Sequence, residues 1–434
     1  MTADHVHRDE TERDPAPTDA VAEGAVVLAR IRAVGLARAD EPASALASAA
    51  SAAALVDRRL IEVSDRATGR RVLVLGWADG AGPAPDLHPS APASRLSPVP
   101  NLVWAVCLAY AWPHAASDPY PGLPFRRTDV LRTCGDLDAD EKTVRTAFDG
   151  TLTRAGLISL AGGVGRLGPT AAALPPPFWS ALRRLHDRLP HSALDSLDDK
   201  GSATGSEEPA AARGLPQPPS GPAGHAATFV RAAVTALETA RGPIAARDLP
   251  ALADPAIRRA TELALGRCGR ALVRTEPGDW TTGYTDNVEN ALASERTGTL
   301  SREERAVLAL VLLRAVAIPR AQGRHRHDWW ATTDHPIGSD ELKANRCLSG
   351  KTIEQALRGL RAAGYVTHAP SGGYVPGPAL ARVSPARRAS LWEDLVLVSR
   401  PDGVLAEAIR ARRDGAALVA TDGHRPDTAP GATT

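Results

Sequence analysis

The sequence predicts a mainly α protein with small β-hairpins, arranged as a duplicated pair of helix-and-hairpin units. Three observations lead to this class. Two stretches, residues 126–173 and 337–382, match in ordered succession. Apolar residues recur at helical spacing ahead of short strand pairs that flank Gly-rich turns. Pro/Gly/Ser-rich stretches separate these segments and read as linkers, having too little apolar surface to offset backbone ordering.

The match begins with Lys142-Thr143-Val144 against Lys351-Thr352-Ile353, then Ala147-Phe148-x-Gly150 against Ala356-Leu357-x-Gly359. Ala155-Gly156-Leu157-Ile158 follows against Ala363-Gly364-Tyr365-Val366, and Gly168-Pro169 against Gly377-Pro378. A near-constant offset of about 208 residues is the mark of an internal duplication. An Ala/Gly-rich composition explains single matches but not their order.

Element by element, each copy opens on an apolar helix, 102–111 or 305–317, followed by Pro113 or Pro319. A short helix is expected at 128–133 and 339–344. A third opens at Lys142 or Lys351, with Val144, Phe148 and Leu152, or Ile353, Leu357 and Leu360, turned inward. Gly156 and Gly364 stand where a helix ends on a left-handed residue. Two short strands around a Gly-rich turn complete the copy. A weaker version of the same order precedes each: helices near 25–34 and 43–58 with a hairpin over 59–77, then helices near 228–240, 246–252 and 256–267 with strands over 271–285.

The expected organisation is an acidic disordered tail (1–20), a weak unit (21–80), a linker (81–98) and a strong unit (99–190). A disordered linker (191–225), a second weak unit (226–299), a basic strong unit (300–413) and a disordered tail (414–434) follow. The chain's 51 Lys and Arg balance 50 Asp and Glu, which excludes a polycation. The four cysteines form no C-x-x-C pair, which argues against a zinc ribbon or a disulfide framework. The acidic start is unlike an export signal, and no apolar stretch approaches the ~20 residues of a membrane span, so a cytoplasmic protein without membrane partners is expected.

Residues 351–378, and 142–169 as a second copy, resemble the recognition helix and wing of the winged-helix superfamily. The weaker units extend that resemblance over most of the chain. It implies tandem winged-helix, helix-turn-helix-like units, and a function among DNA reading, protein docking and scaffolding. Paired winged helices also make the chain similar to the kleisin-interacting tandem winged-helix subunits of chromosome-organising ATPase complexes. The expectation from that second resemblance is a protein adaptor of a chromosome-organising or DNA-defence complex, with a protein partner or a homodimer.

A recognition helix needs cations and amides on the face opposite its core stripe, because phosphates and base edges are met there. Lys351, Gln355 and Arg358 recur at i, i+4 and i+7, with Thr352 and Arg361 beside them. Arg324 and Arg326 precede this helix, and Arg387 and Arg388 follow the hairpin. Residues 301–400 hold 15 Lys and Arg against 9 Asp and Glu, a net +6 inside a nearly neutral chain. These nine residues are therefore the candidate contacts to double-stranded DNA. The earlier copy has Asp136, Asp138, Asp140 and Glu141 ahead of its helix. Carboxylates there suit the helix dipole but repel phosphate, so a protein-facing role is expected.

No enzymatic site, cofactor or metal is expected. Gly163-x-Gly165-x-x-Gly168 resembles a dinucleotide loop, but Pro169 follows where a long helix should begin. Gly350-Lys351-Thr352 resembles the end of a phosphate loop, yet Asn345 stands in place of its first glycine. His325, His327, Asp328, Asp334 and His335 lack helical ligand spacing and are flanked by arginines.

Overall fold

The computed structural model describes residues 17–65, 68–78, 96–190, 212–215, 224–240, 242–275, 278–324, 334–344 and 348–422. They are mostly helical, with small antiparallel sheets. By backbone contacts the chain divides into two compact units, one comprising Met1–Ala240, Ile244–Leu272 and Asn287–Gly298, the other Arg241–Pro243, Val273–Asp286 and Thr299–Thr434.

The first unit begins with α1 (Pro17–Val34), β1 (Ala37–Arg38), α2 (Ala43–Ala54), β2 (Arg58–Asp65) and β3 (Arg70–Trp77). Helix α1 starts inside the stretch expected to be a tail, because its apolar positions Val27, Leu28 and Ile31 anchor a helix long enough to extend outward. It packs on the alanine face of α2. A Cβ at Gly24 would lie 2.7 Å from the Ala49 nitrogen, so only glycine allows this approach. One face of the sheet, with Ile61, Val63, Val72 and Val74, packs on Ala173.

The next segment holds α3 (Pro98–Ala111), β4 (Phe125–Arg126), α4 (Arg127–Asp136), α5 (Glu141–Thr146), β5 (Ile158–Ala161), β6 (Val164–Leu167), α6 (Pro169–Ala172) and α7 (Pro176–Arg183). Helix α5 continues as a π-type turn over Ala147–Leu152. Val103, Cys107, Val130, Val144, Phe148 and Leu152 form one core with Ile158 and Leu167 of the hairpin. The short strand β4 adds to β6, giving the order β4–β6–β5. A one-turn helix, α6, does follow Gly168, contrary to the expectation that Pro169 closes off helix there. Gly163 and Gly165 nonetheless belong to the hairpin turn and its second strand, so no phosphate cradle forms.

Within the stretch expected to be a disordered linker, three residues form β7 (Ala212–Gly214), which pairs with the outer edge of β2. The first sheet therefore has the order β1–β3–β2–β7. Then come α8 (His225–Thr239), α9 (Pro255–Arg267), β8 (Arg270–Arg274), β9 (Trp280–Tyr284) and α10 (Asp286–Ser294). In place of the helix expected over 246–252 stand two 3₁₀ turns, Ala246–Asp248 and Pro250–Ala253. Pro250 interrupts the hydrogen-bond ladder there.

Within this first unit, the two weak segments pack on one another. Arg32 binds Glu238 at 2.7 Å with side chains only 11% and 7% exposed, and Arg231 binds Asp57 at 3.2 Å. Arg30 Nε donates to Glu295 at 2.7 Å, and the Cys268 thiol donates to the Ala52 carbonyl at 3.2 Å. Burial pushes the Arg58 guanidinium down to about 10, while it stacks 3.9 Å from the Trp77 ring.

The second unit contains α11 (Arg302–Leu312), which runs through a π-type turn (Leu313–Ala317) into α12 (Ile318–Ala321), then α13 (Ser339–Lys343) and α14 (Gly350–Ala362). β10 (Val366–His368) and β11 (Tyr374–Pro376) form a hairpin, and α15 (Pro385–Ser399) and α16 (Val404–Asp422) follow. Helix α16 continues through residues 414–422, part of the expected disordered tail. Val307, Val311, Leu312, Leu342, Ile353, Leu357, Leu360, Val366 and Leu395 share one core.

Candidate nucleic-acid interface

Helix α14 has a defined start and stop. The Ser349 hydroxyl accepts from the Thr352 N–H at 3.1 Å and meets the Thr352 hydroxyl at 2.7 Å. At the other end Gly364 adopts φ 78°, a left-handed conformation that a side chain disfavours. Ile353, Ala356, Leu357 and Leu360 face the core, where α11 packs against them. The close approach is specified at Gly359: a Cβ there would fall far inside van der Waals contact with the Glu304 carboxylate. Glu304 is itself fixed, because it completes the capping box that starts α11 at Ser301.

The opposite face is cationic. Lys351, Gln355, Arg358 and Arg361 are exposed, and Thr352 is half-buried behind the cap. Among the described residues, none of those four exposed side chains has a hydrogen-bond or ion-pair partner. Glu354 is the single carboxylate of the helix, and Lys343 of α13 binds it at 2.9 Å, which holds the Glu354 carboxyl below its usual range. That pair joins residues eleven apart on different helices, so helical spacing gave no sign of it.

The hairpin beside α14 carries no cation. Ile337 exchanges main-chain bonds with Tyr374 at 2.9 and 2.8 Å and adds a third line of pairing, and the His368 and Tyr374 rings lie 4.6 Å apart. The tip residues Ser371 and Gly372 are exposed and offer only hydroxyl and backbone groups.

The remaining candidates lie on other elements. Arg324 is exposed just beyond α12, where it is bonded to the Gln322 side chain. Arg326 lies outside the described residues, as do His325, His327 and Asp328. Arg387 is exposed in the first turn of α15. Arg388 is turned inward, half-buried and donating to the Val383 carbonyl at 3.4 Å, because the start of α15 rests on the preceding turn. Arg320 lies 4.5 Å over the Trp392 ring and so ties α12 to α15. The structure thus gathers Lys351, Gln355, Arg358 and Arg361 on one surface and places Arg324, Arg387 and Arg388 on the α12–α15 side.

The corresponding helix of the first unit is electrostatically closed. Arg127 Nε donates to Asp149 at 2.9 Å, and Arg145 is paired with Glu141. The Arg127 guanidinium holds the Asp149 carboxyl below its ordinary range. Lys142 is exposed and has no such partner among the described residues. No protein-family model, curated protein or solved structure matches this chain. Among the described residues, no helix is long and apolar enough to cross a membrane.

Proposed function

We propose that the chain is a non-enzymatic, cytoplasmic tandem winged-helix protein, its pair of units duplicated, that binds duplex DNA through α14. The observation that carries this reading is the unpartnered Lys351, Gln355, Arg358 and Arg361 on the solvent face of a firmly capped helix. In this reading α14 enters the major groove, where Gln and Arg side chains match adenine and guanine edges. The hairpin tip at 371–373 lies along the backbone or minor groove, contributing N–H groups rather than charge. Arg324 and Arg387 contribute phosphate contacts, and the protein acts as a regulator or a nucleoid-associated component. A salt titration of duplex affinity on the full chain tests this. Each lost cation should lower the magnitude of the log–log slope by roughly 0.9. An unchanged slope in a variant lacking Lys351 and Arg358 would assign binding to another surface.

A second reading has its own support. The buried Arg32–Glu238 pair and the Arg231–Asp57 pair bring the two weak segments together inside one chain, as the subunits of a dimer would be. This fits a covalent version of the dimeric kleisin-interacting adaptors. Retrieval of an elongated ATPase or kleisin-like partner in the presence of nuclease supports the adaptor, and tight binding to one operator sequence supports the regulator.

A further inference from the structure

The first sheet ends in an edge that the chain covers only in part. β2 is eight residues long and rich in strand-forming side chains, but only Ile61, Glu62 and Val63 pair with β7, opposite Gly214, Arg213 and Ala212. Leu215 N donates to the Leu60 carbonyl at 3.1 Å and ends the contact. Arg58 and Arg59 at one end and Ser64 and Asp65 at the other extend past this pairing.

The occupant is a poor strand. Ala and Gly are depleted in strands, and they stand in register with Ile61 and Val63. Those two residues belong to the apolar layer of Ile61, Val63, Val72, Val74 and Ala173, which β7 extends by no more than a methyl group. Pro216 follows Leu215 and has no N–H to carry the pairing onward. What holds β7 is its tether, which supplies an effective concentration on the order of millimolar.

We propose that the outer edge of β2 is a strand-accepting site for an extended segment of another protein, with residues 212–215 as the chain's own placeholder. The register defines the partner's chemistry. It places a basic residue opposite Glu62, where Arg213 now stands, and β-branched residues on either side of it, where Ala212 and Gly214 leave the apolar layer short. Main-chain pairing supplies affinity and these alternating side chains supply selectivity.

The bonding pattern provides a test on the unaltered protein. Because Leu215 donates to Leu60, antiparallel alternation makes Glu62–Arg213 the next hydrogen-bonded pair. The Leu60 and Glu62 N–H groups therefore depend on β7, whereas those of Ile61 and Val63 face β3. Amide exchange at Leu60 and Glu62 should be at least tenfold faster than at Ile61 and Val63. Equal protection would mean that β7 leaves only on global unfolding and would overturn the proposal.

The second test uses the full chain carrying Arg213→Pro and Leu215→Pro, which removes the two N–H donors of the placeholder. The probe is a fluorescent peptide of residues 209–217 in which Ala212 and Gly214 are replaced by Val. It should bind the variant at least tenfold more tightly than it binds the parent, and more tightly than the unsubstituted peptide does. Equal affinity for variant and parent, or no binding to a variant that retains the parental circular dichroism and melting temperature, overturns the idea. Concentration-dependent dimers of the parent with full protection at Leu60 and Glu62 would identify the occupant as the same strand of a second copy, and would equally overturn a foreign partner.

Discussion

The segment from α3 to α7 and the segment from α11 to α15 use the same main-chain joints and opposite electrostatics. In the first, Gly168 N donates to Leu157 O at 2.7 Å and Thr170 N to Gly156 O at 2.9 Å. In the second, Gly377 N donates to Tyr365 O at 2.8 Å and Ala379 N to Gly364 O at 3.0 Å. Helix end, hairpin and following turn are thus clasped by matching bonds in each. Yet Arg127 and Arg145 of the first are held by carboxylates, while Lys351, Arg358 and Arg361 of the second face solvent. What holds a unit together and what equips it for a polyanion are set by separate groups of residues.

The largest expected effect tests the shared joint. A Cβ at Gly168 or Gly377 would fall far inside van der Waals contact with the carbonyl oxygen of Gly156 or Gly364 respectively. Gly168→Ala and Gly377→Ala should each destabilise their own segment by about 3 kcal/mol, at the high end for single substitutions. Urea denaturation read by hydrogen exchange in each hairpin checks this. A large loss at only one of the two glycines would break the equivalence.

Next comes the electrostatic contrast. Replacing Lys351, Gln355 and Arg358 together by Ala should lower duplex affinity on the order of 100-fold at 0.1 M salt and reduce the salt slope by about 2. The matching Lys142→Ala/Arg145→Ala variant should change affinity less than about twofold. Fluorescence anisotropy on one labelled duplex reads both. Equal losses would erase the distinction between the segments.

A smaller effect should be obtained by removing the carboxylates. Glu141→Gln with Asp149→Asn releases Arg145 and Arg127, and should raise duplex affinity by roughly three- to tenfold through added phosphate attraction. That gain should vanish at high salt. No gain at low salt would mean that the first segment's helix face is kept from DNA by something besides charge.

The parts legible in the sequence were those encoded by local pattern. Lys142-Thr143 and Lys351-Thr352 mark helix starts because a cap lies three residues before each threonine, and Gly156 and Gly364 adopt φ 67° and 78° where a helix must end. Pairing between distant segments left no such mark. Nothing in Ala212-Arg213-Gly214 signals a strand, since its pairing is dictated by the edge of β2 rather than by its own propensity. The Lys343–Glu354 pair and the inward turn of Arg388 likewise depend on tertiary packing. The cationic face of α14 was readable because i, i+4 and i+7 spacing reports a helix face directly.

The subtlest difference between the segments lies in their caps. Asp140 begins α5 and accepts from the Thr143 N–H at 2.9 Å, as Ser349 accepts from Thr352 at 3.1 Å, so a carboxylate does in one segment what a hydroxyl does in the other. Removing the hydroxyl with Ser349→Ala should cost about 1 kcal/mol, by the same amount near pH 7 and near pH 3. The Asp140 carboxyl behaves differently. Its bonds from the Thr143 side chain and backbone hold it below its ordinary range. A carboxyl lowered in the folded state adds stability above its unfolded value and loses it as pH falls through the folded one. The penalty of Asp140→Ala should therefore shrink on acidification while that of Ser349→Ala stays constant. Urea midpoints of the two variants, each against the parent at both pH values, decide the matter. A pH-independent Asp140→Ala penalty would show that the cap acts through its geometry and not its charge, and would bring the two segments closer than their residues suggest.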